Sequence, residues 1–200
     1  MSRDPFRSVK TYTDLLKVNV RFLQGKVHST PYQLAPVDAE TVPLLDNLVN
    51  INRRGFFSFE GQPTVREDLE VRQGYIIGFV QSRTFDAFLP RFLKHDVLYK
   101  IEIPDLNGED TILLNNFADF EKPHVVTWEK RNARWFPYTV ISNKSTRNTE
   151  ISSYDDYPVI KNILTHDCVM LSLIQSSDTS PSVESVLQDC LPPLAAAHVP

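Results

Sequence analysis

Residues 39–63, AETVPLLDNLVNINRRGFFSFEGQP, read as one helix with marked ends running into one short strand. Glu40 and Thr41 sit at the helix entrance, and Pro43 falls in the first turn, where a missing N–H costs nothing. Leu44, Leu45, Leu48, Val49 and Ile51 recur at helical spacing and give one apolar face. Arg53 and Arg54 occupy the last turn, where cations suit the helix dipole, and Gly55 is placed just past the end. Phe56, Phe57, Ser58 and Phe59 then read as a buried strand, closed by a turn at Gly61-Gln62-Pro63. A helix entrance beside a strand end sets polar groups at rigid edges, where a ligand can sit.

On the N-terminal side, a helix is expected from Thr11 or Thr13 to Leu23, with a Thr11/Asp14 capping box and Gly25 as its stop. Residues 26–37 read as an irregular connection, and 64–72, being charged, as an exposed loop. On the C-terminal side, Gly74–Val80 reads as a strand whose two glycines signal a bulge or a close backbone approach. Ser82 or Thr84 should cap a helix carrying Phe85, Phe88, Leu89, Phe92 and Leu93, kinked or shortened by Pro90. Val97–Ile103 and Thr111–Leu114 read as strands joined by an Asn107-Gly108 turn. Two more are expected at His124–Trp128 and Trp135–Ile141, with a charged turn at Glu129–Arg134 between them. Residues 142–154 read as a loop; Asp155 or Asp156 should cap a short helix to Leu164, and Cys168–Ile174 reads as a buried last strand. Strands joined by hairpin-length connections and mixed with helices give an α+β class, with mixed, largely antiparallel sheets flanked by helices. The reading divides the chain into one domain, residues 1–174, and a Ser/Pro-rich tail, residues 175–200, broken only by a short apolar period at Val183, Val186 and Leu187.

Composition narrows the function classes. A net charge of −4 with scattered basic residues gives no electrostatic case for nucleic acid. No apolar run approaches the length needed to span a bilayer, so an integral membrane protein is not expected. The N-terminus lacks the apolar core of a secretory signal, and two cysteines are too few for a disulfide framework. A cytoplasmic location is therefore expected, with a mitochondrial one as the alternative that Arg3, Arg7 and Lys10 leave open. Catalytic signatures are absent: the five histidines are scattered, the six glycines isolated, and His166-Asp167-Cys168 reads as a strand start with a buried thiol. The chain is read as a non-enzyme without a catalytic cofactor or metal.

Residues 39–63 also resemble the segment that opens the C-terminal regulatory domain of eukaryotic methylenetetrahydrofolate reductases, with its A-E-T helix start, N-R-x-G, short strand and S-Q-P at the same spacing. Phe22-Leu23-Gln24-Gly25 resembles the F-L-x-G end of that family's leading helix, and Gln73–Val80 its Q-K-A-Y-L-E-F-F strand, followed by Ser82-Arg83 and a helix. Asn107-Gly108-Glu109 is similar to its N-x-K-G-E turn, Val125–Trp128 to A-V-T-W, and Pro137–Val140 approximately to P-T-V. The resemblance covers residues 8–190.

In that family the domain binds S-adenosylmethionine and inhibits a separate catalytic (β/α)8 barrel to which this chain has no counterpart. The resemblance thus implies a stand-alone, non-catalytic regulatory-type domain that binds S-adenosylmethionine or S-adenosylhomocysteine and acts through a protein partner. The alternative is an accessory subunit of a larger assembly that reuses the fold without the ligand. Positions matching the family's ligand contacts are Glu40, Thr41, Ser58, Thr127 and Thr139. Three departures stand out: Gly61 replaces a Ser, Glu60 an Asn, and Ser58 a Thr.

Overall fold

The computed structural model describes residues 4–67, 70–104, 110–114, 128–131, 134–137, 145–175 and 180–193. Its centre is the strand β9, Cys168–Gln175, all eight residues of which are buried. Alternate side chains of a strand point to opposite faces, and here both faces are covered. Val169, Leu171 and Leu173 pack into one apolar layer, and Cys168, Met170 and Ile174 into the other. A nearly continuous apolar run, CVMLSLI, is what such a doubly covered strand requires.

Around β9 lie β1 (Phe56–Gln62), β4 (Tyr75–Gln81), β5 (Val97–Ile103) and β6 (Thr111–Leu114), in the spatial order β1-β4-β9-β5-β6, every neighbour antiparallel. One layer is completed by α2 (Leu45–Arg53), α3 (Ser82–Phe92) and α6 (Val183–Cys190). The other holds α4 (Arg147–Ser152) and α5 (Pro158–His166). Helix α1, Tyr12–Leu23, contributes to both, so it wraps the free edge of β1. The Tyr12 hydroxyl ties it there, donating towards Phe79 O at 2.7 Å and Gly55 O at 3.0 Å while accepting from Phe57 N. The architecture is α+β, as expected.

Several local expectations hold. Thr11 and Asp14 form the capping box. Gly55 leaves α2 with φ of 104°, a conformation that disfavours any residue with a Cβ. Gly78 is the close approach signalled in its strand: a Cβ there would lie 2.4 Å from both the Phe56 ring and Phe57 O.

Other expectations are corrected. The entrance of the opening helix is a separate 3₁₀ turn, Ala39–Leu44, before α2 proper begins. Strand β1 does not stop at Phe59 but continues to Gln62, with a bulge at Phe59 between Ser58 and Glu60. Residues 64–72 include two short strands, β2 (Val65–Glu67) and β3 (Glu70–Arg72), rather than a loop. They belong to a second sheet, β2-β3-β8-β7, with β7 at Trp128–Arg131 and β8 at Arg134–Pro137. The segment read as a charged turn is therefore largely strand: Glu129–Arg131 pair antiparallel with β8, and β8 in turn pairs in parallel with β3, a distant partner that local periodicity does not reveal. The Asn107-Gly108 turn and most of the expected strand at His124–Trp128 lie outside the described residues.

Helix α4 occupies part of the expected loop 142–154. It is nucleated from the sheet: the buried Glu102 carboxylate accepts from Thr146 N and Arg147 N at 2.9 and 3.1 Å, an anion at a helix N-terminus. Glu102 also pairs with buried Lys100 at 2.7 Å. Neither Asp155 nor Asp156 caps α5, whose N-cap is Tyr157; Asp155 pairs with Lys161 instead. Likewise Gln81, not Ser82 or Thr84, is the N-cap of α3, which runs past Pro90 to Phe92 without being shortened.

The segment read as a tail contributes α6 to the core, burying Val183, Val186, Leu187, Cys190 and Leu191. Arg54 fastens its end by donating from Nε to Pro192 O at 2.8 Å.

Candidate functional site

The 3₁₀ turn and the bulged end of β1 face each other across a cavity of ≈ 150 Å³. The sequence explains both walls. Pro43 and the absence of a side-chain cap favour a tight 3₁₀ entrance over a regular first turn, which leaves Glu40 and Thr41 facing β1. The bulge at Phe59 offsets the pleat, so Ser58, Glu60, Gly61 and Gln62 all line the same space. Tyr32, Phe22, Phe59 and Tyr75 close it with rings.

Of the five expected site residues, Glu40, Thr41 and Ser58 are brought together here. Thr127 and Thr139 lie outside the described residues.

Each of the three is held by a defined contact. Thr41 Oγ1 donates to Gly61 O at 3.1 Å, covering a carbonyl on the open edge of β1. Gln62 Nε2 donates to Glu40 Oε2 at 2.7 Å. Ser58, on the floor and 3% exposed, accepts from Asn52 Nδ2 at 2.6 Å. Beneath it runs a buried relay: Tyr32 OH donates to Asn19 Oδ1, while Asn19 Nδ2 donates to Asn52 Oδ1 and to Ser58 O. Asn52 Nδ2 also donates to Leu48 O. Amides buried this deeply need such partners, and having them fixes α1, α2 and β1 in one register.

The rim is acidic. Tyr75 OH donates to Glu60 Oε1 at 2.6 Å. Displacement of water by surrounding protein holds the Glu60 carboxyl above its usual range, the Tyr75 bond opposing this. Burial likewise raises the hydroxyls of Tyr32 and Tyr75 well above the usual tyrosine range, so both remain donors at any physiological pH. Gly61 is open to substitution: its φ is unremarkable, and a Cβ would meet Tyr75 O at 3.4 Å, an ordinary contact.

Sequence reasoning missed the contributions of Tyr32, Gln62, Tyr75, Asn19 and Asn52. Two carried a signal. Asn19 is a polar residue on the apolar side of α1, and Asn52 opens the Asn52-Arg53-Arg54-Gly55 motif already noted for its family resemblance.

Elsewhere, the Cys168 and Cys190 thiols are buried; burial pushes Cys190 up to about 11 and Cys168 higher still, the reverse of an activated nucleophile. His166 ends α5 rather than starting a strand. A neighbouring cleft of ≈ 700 Å³ between the end of α1 and α2 shares Phe22, Leu23 and Val37 with the site. Among the described residues no group of three or more His, Cys, Asp or Glu is placed to hold a metal ion. No described helix is long and apolar enough to cross a membrane.

Fold and cavity together define an α+β domain with a polar, ring-walled cavity at the covered edge of its main sheet. The chain belongs to the family described as a domain of unknown function (DUF6919), which it matches over residues 1–127. It is also similar to methylenetetrahydrofolate reductase 1 of Schizosaccharomyces pombe, with 24% identity over 130 residues, 60% of this chain. The matched stretch spans only 22% of that protein's length.

Proposed function

We propose that this chain is a non-catalytic, regulatory-type domain that binds S-adenosylmethionine or S-adenosylhomocysteine at the β1 edge and acts through a protein partner. The observation that carries the reading is the convergence on one cavity of Glu40 and Thr41, from the 3₁₀ turn, with Ser58, from β1. The similarity to a methylenetetrahydrofolate reductase supports it. Glu40 offers an anion for an ammonium group or for ribose hydroxyls beside a sulfonium. The hydroxyls of Thr41 and Ser58, with those of Thr127 and Thr139, suit the adenine and carboxylate edges. Calorimetry with both ligands on the wild type and on Glu40→Ala tests this. Saturable heat that the variant weakens about tenfold supports the reading; no heat at millimolar ligand from a folded protein sinks it.

A second reading, an accessory subunit that has lost the ligand, has one specific observation in its favour. Thr41, Glu40 and Ser58 already have internal partners, and ≈ 150 Å³ falls below the roughly 300 Å³ at which small-molecule pockets usually begin. Under this reading the chain purifies from native extract within a larger assembly and gives no ligand heat.

A further inference from the structure

The lining of the cavity is lopsided in charge. Asp38, Glu40 and Glu60 contribute three carboxylates, and no Lys, Arg or His is among the described residues that line it. Both carboxylates whose contacts are defined are held at one oxygen only. Glu60 Oε1 accepts from Tyr75 at 2.6 Å and Glu40 Oε2 from Gln62 at 2.7 Å. The second oxygen of each has no donor among the described residues. Four rings complete the wall: Phe22, Tyr32, Phe59 and Tyr75, with Tyr32 and Phe59 edge to face at 5.8 Å. Ring faces attract cations, and a fixed carboxylate beside them does so more strongly. The same field repels phosphate, so nucleotides and dinucleotides are poor candidates.

We infer that this cavity selects ligands by a compact positive charge and that Glu60 sets the selection. Resting on the adenosyl reading above, this means S-adenosylmethionine, a sulfonium, is preferred over S-adenosylhomocysteine, whose sulfur is neutral and lacks the methyl but which otherwise carries the same groups. Glu60 is suited to discriminate because Tyr75 fixes its position at the rim while its free oxygen remains available. Glu40, bound to Gln62 at the 3₁₀ turn, serves both ligands through groups they share.

The test is calorimetry of the full chain with the two ligands, for the wild type and for Glu60→Gln, with thermal melting to confirm that the variant is folded. The wild type is expected to bind the sulfonium at least about tenfold more tightly. Glu60→Gln should bring the two affinities within about threefold by weakening the sulfonium while leaving the thioether unchanged. Added salt should weaken the sulfonium more than the thioether, a readout that needs no variant. Equal wild-type affinities, or an equal loss for both ligands in Glu60→Gln, overturn the inference and leave the adenosyl reading standing. No heat from either ligand overturns the adenosyl reading itself, and the inference falls with it.

Discussion

Asn52 donates from Nδ2 to the hydroxyl of Ser58 at 2.6 Å, across the turn that joins α2 to β1. Its Oδ1 accepts from Ser58 N at 3.3 Å and from Asn19 Nδ2 at 3.0 Å, so one fully buried amide joins helix, strand and site floor. Asn52→Ala leaves the Asn19 amide and the Ser58 backbone short of partners in a dry environment. It should cost about 2–4 kcal/mol, read as a lower urea midpoint at unchanged slope. A loss below about 0.5 kcal/mol would mean the relay is not what holds α2 to β1.

Gly61 is a departure that the geometry allows to be reversed. With space for a Cβ and an ordinary φ, Gly61→Ser should melt within about 2 °C of the wild type while adding a hydroxyl at the cavity wall. If an adenosyl ligand binds, that hydroxyl should tighten it about fivefold, the worth of one ordinary hydrogen bond. A destabilised Gly61→Ser, or one that binds less well, would show that glycine is required there.

Glu150 of α4 makes stability depend on pH. Burial, followed by the nearby carboxylates of Glu60 and Glu102, pushes it from 4.5 up to about 7, with Lys100 opposing. Between those values the folded chain keeps a proton that the unfolded chain has lost. Its contribution is therefore complete below pH 4.5 and disappears as pH rises through 7. Glu150→Gln should gain on the order of 2 kcal/mol over the wild type at pH 8 and almost nothing at pH 4.5. Parallel chemical-denaturation curves at the two pH values measure the difference directly; a gain independent of pH contradicts the assignment.

Truncation after Ile174 removes α6 and uncovers the apolar layer formed by α2, α3 and one face of the sheet. The truncated chain should aggregate or lose cooperative unfolding, whereas truncation after Pro193 should retain it. A soluble, cooperatively melting 1–174 fragment would restore the reading of this segment as a tail.

These cases mark what was legible in the amino-acid sequence. The reading held at several local signals: the Thr11/Asp14 capping box, Gly55 at the end of α2, and the apolar run of β9 all form as their spacing implies. Where the deciding partner is remote it did not. The short helix α4 depends on Glu102 from another strand, β8 pairs with β3, and α6 is held by Arg54 and an apolar face built earlier in the chain. The site divides the same way. Glu40, Thr41 and Ser58 were named from the family resemblance, but Tyr32, Gln62 and Tyr75 come from the 26–37 connection, the end of β1 and the start of β4, which no local pattern brings together.

The central claim is that the β1 edge is an adenosyl site, and a crystal structure of the chain grown with S-adenosylmethionine addresses it most directly. The account predicts an adenosyl group between the 3₁₀ turn and the bulge, with Glu40, Thr41 and Ser58 in contact and Glu60 facing the sulfonium. A ligand seated elsewhere contradicts it. So does an empty cavity, with the Thr41–Gly61 and Gln62–Glu40 bonds intact, in crystals of protein that binds the ligand in solution.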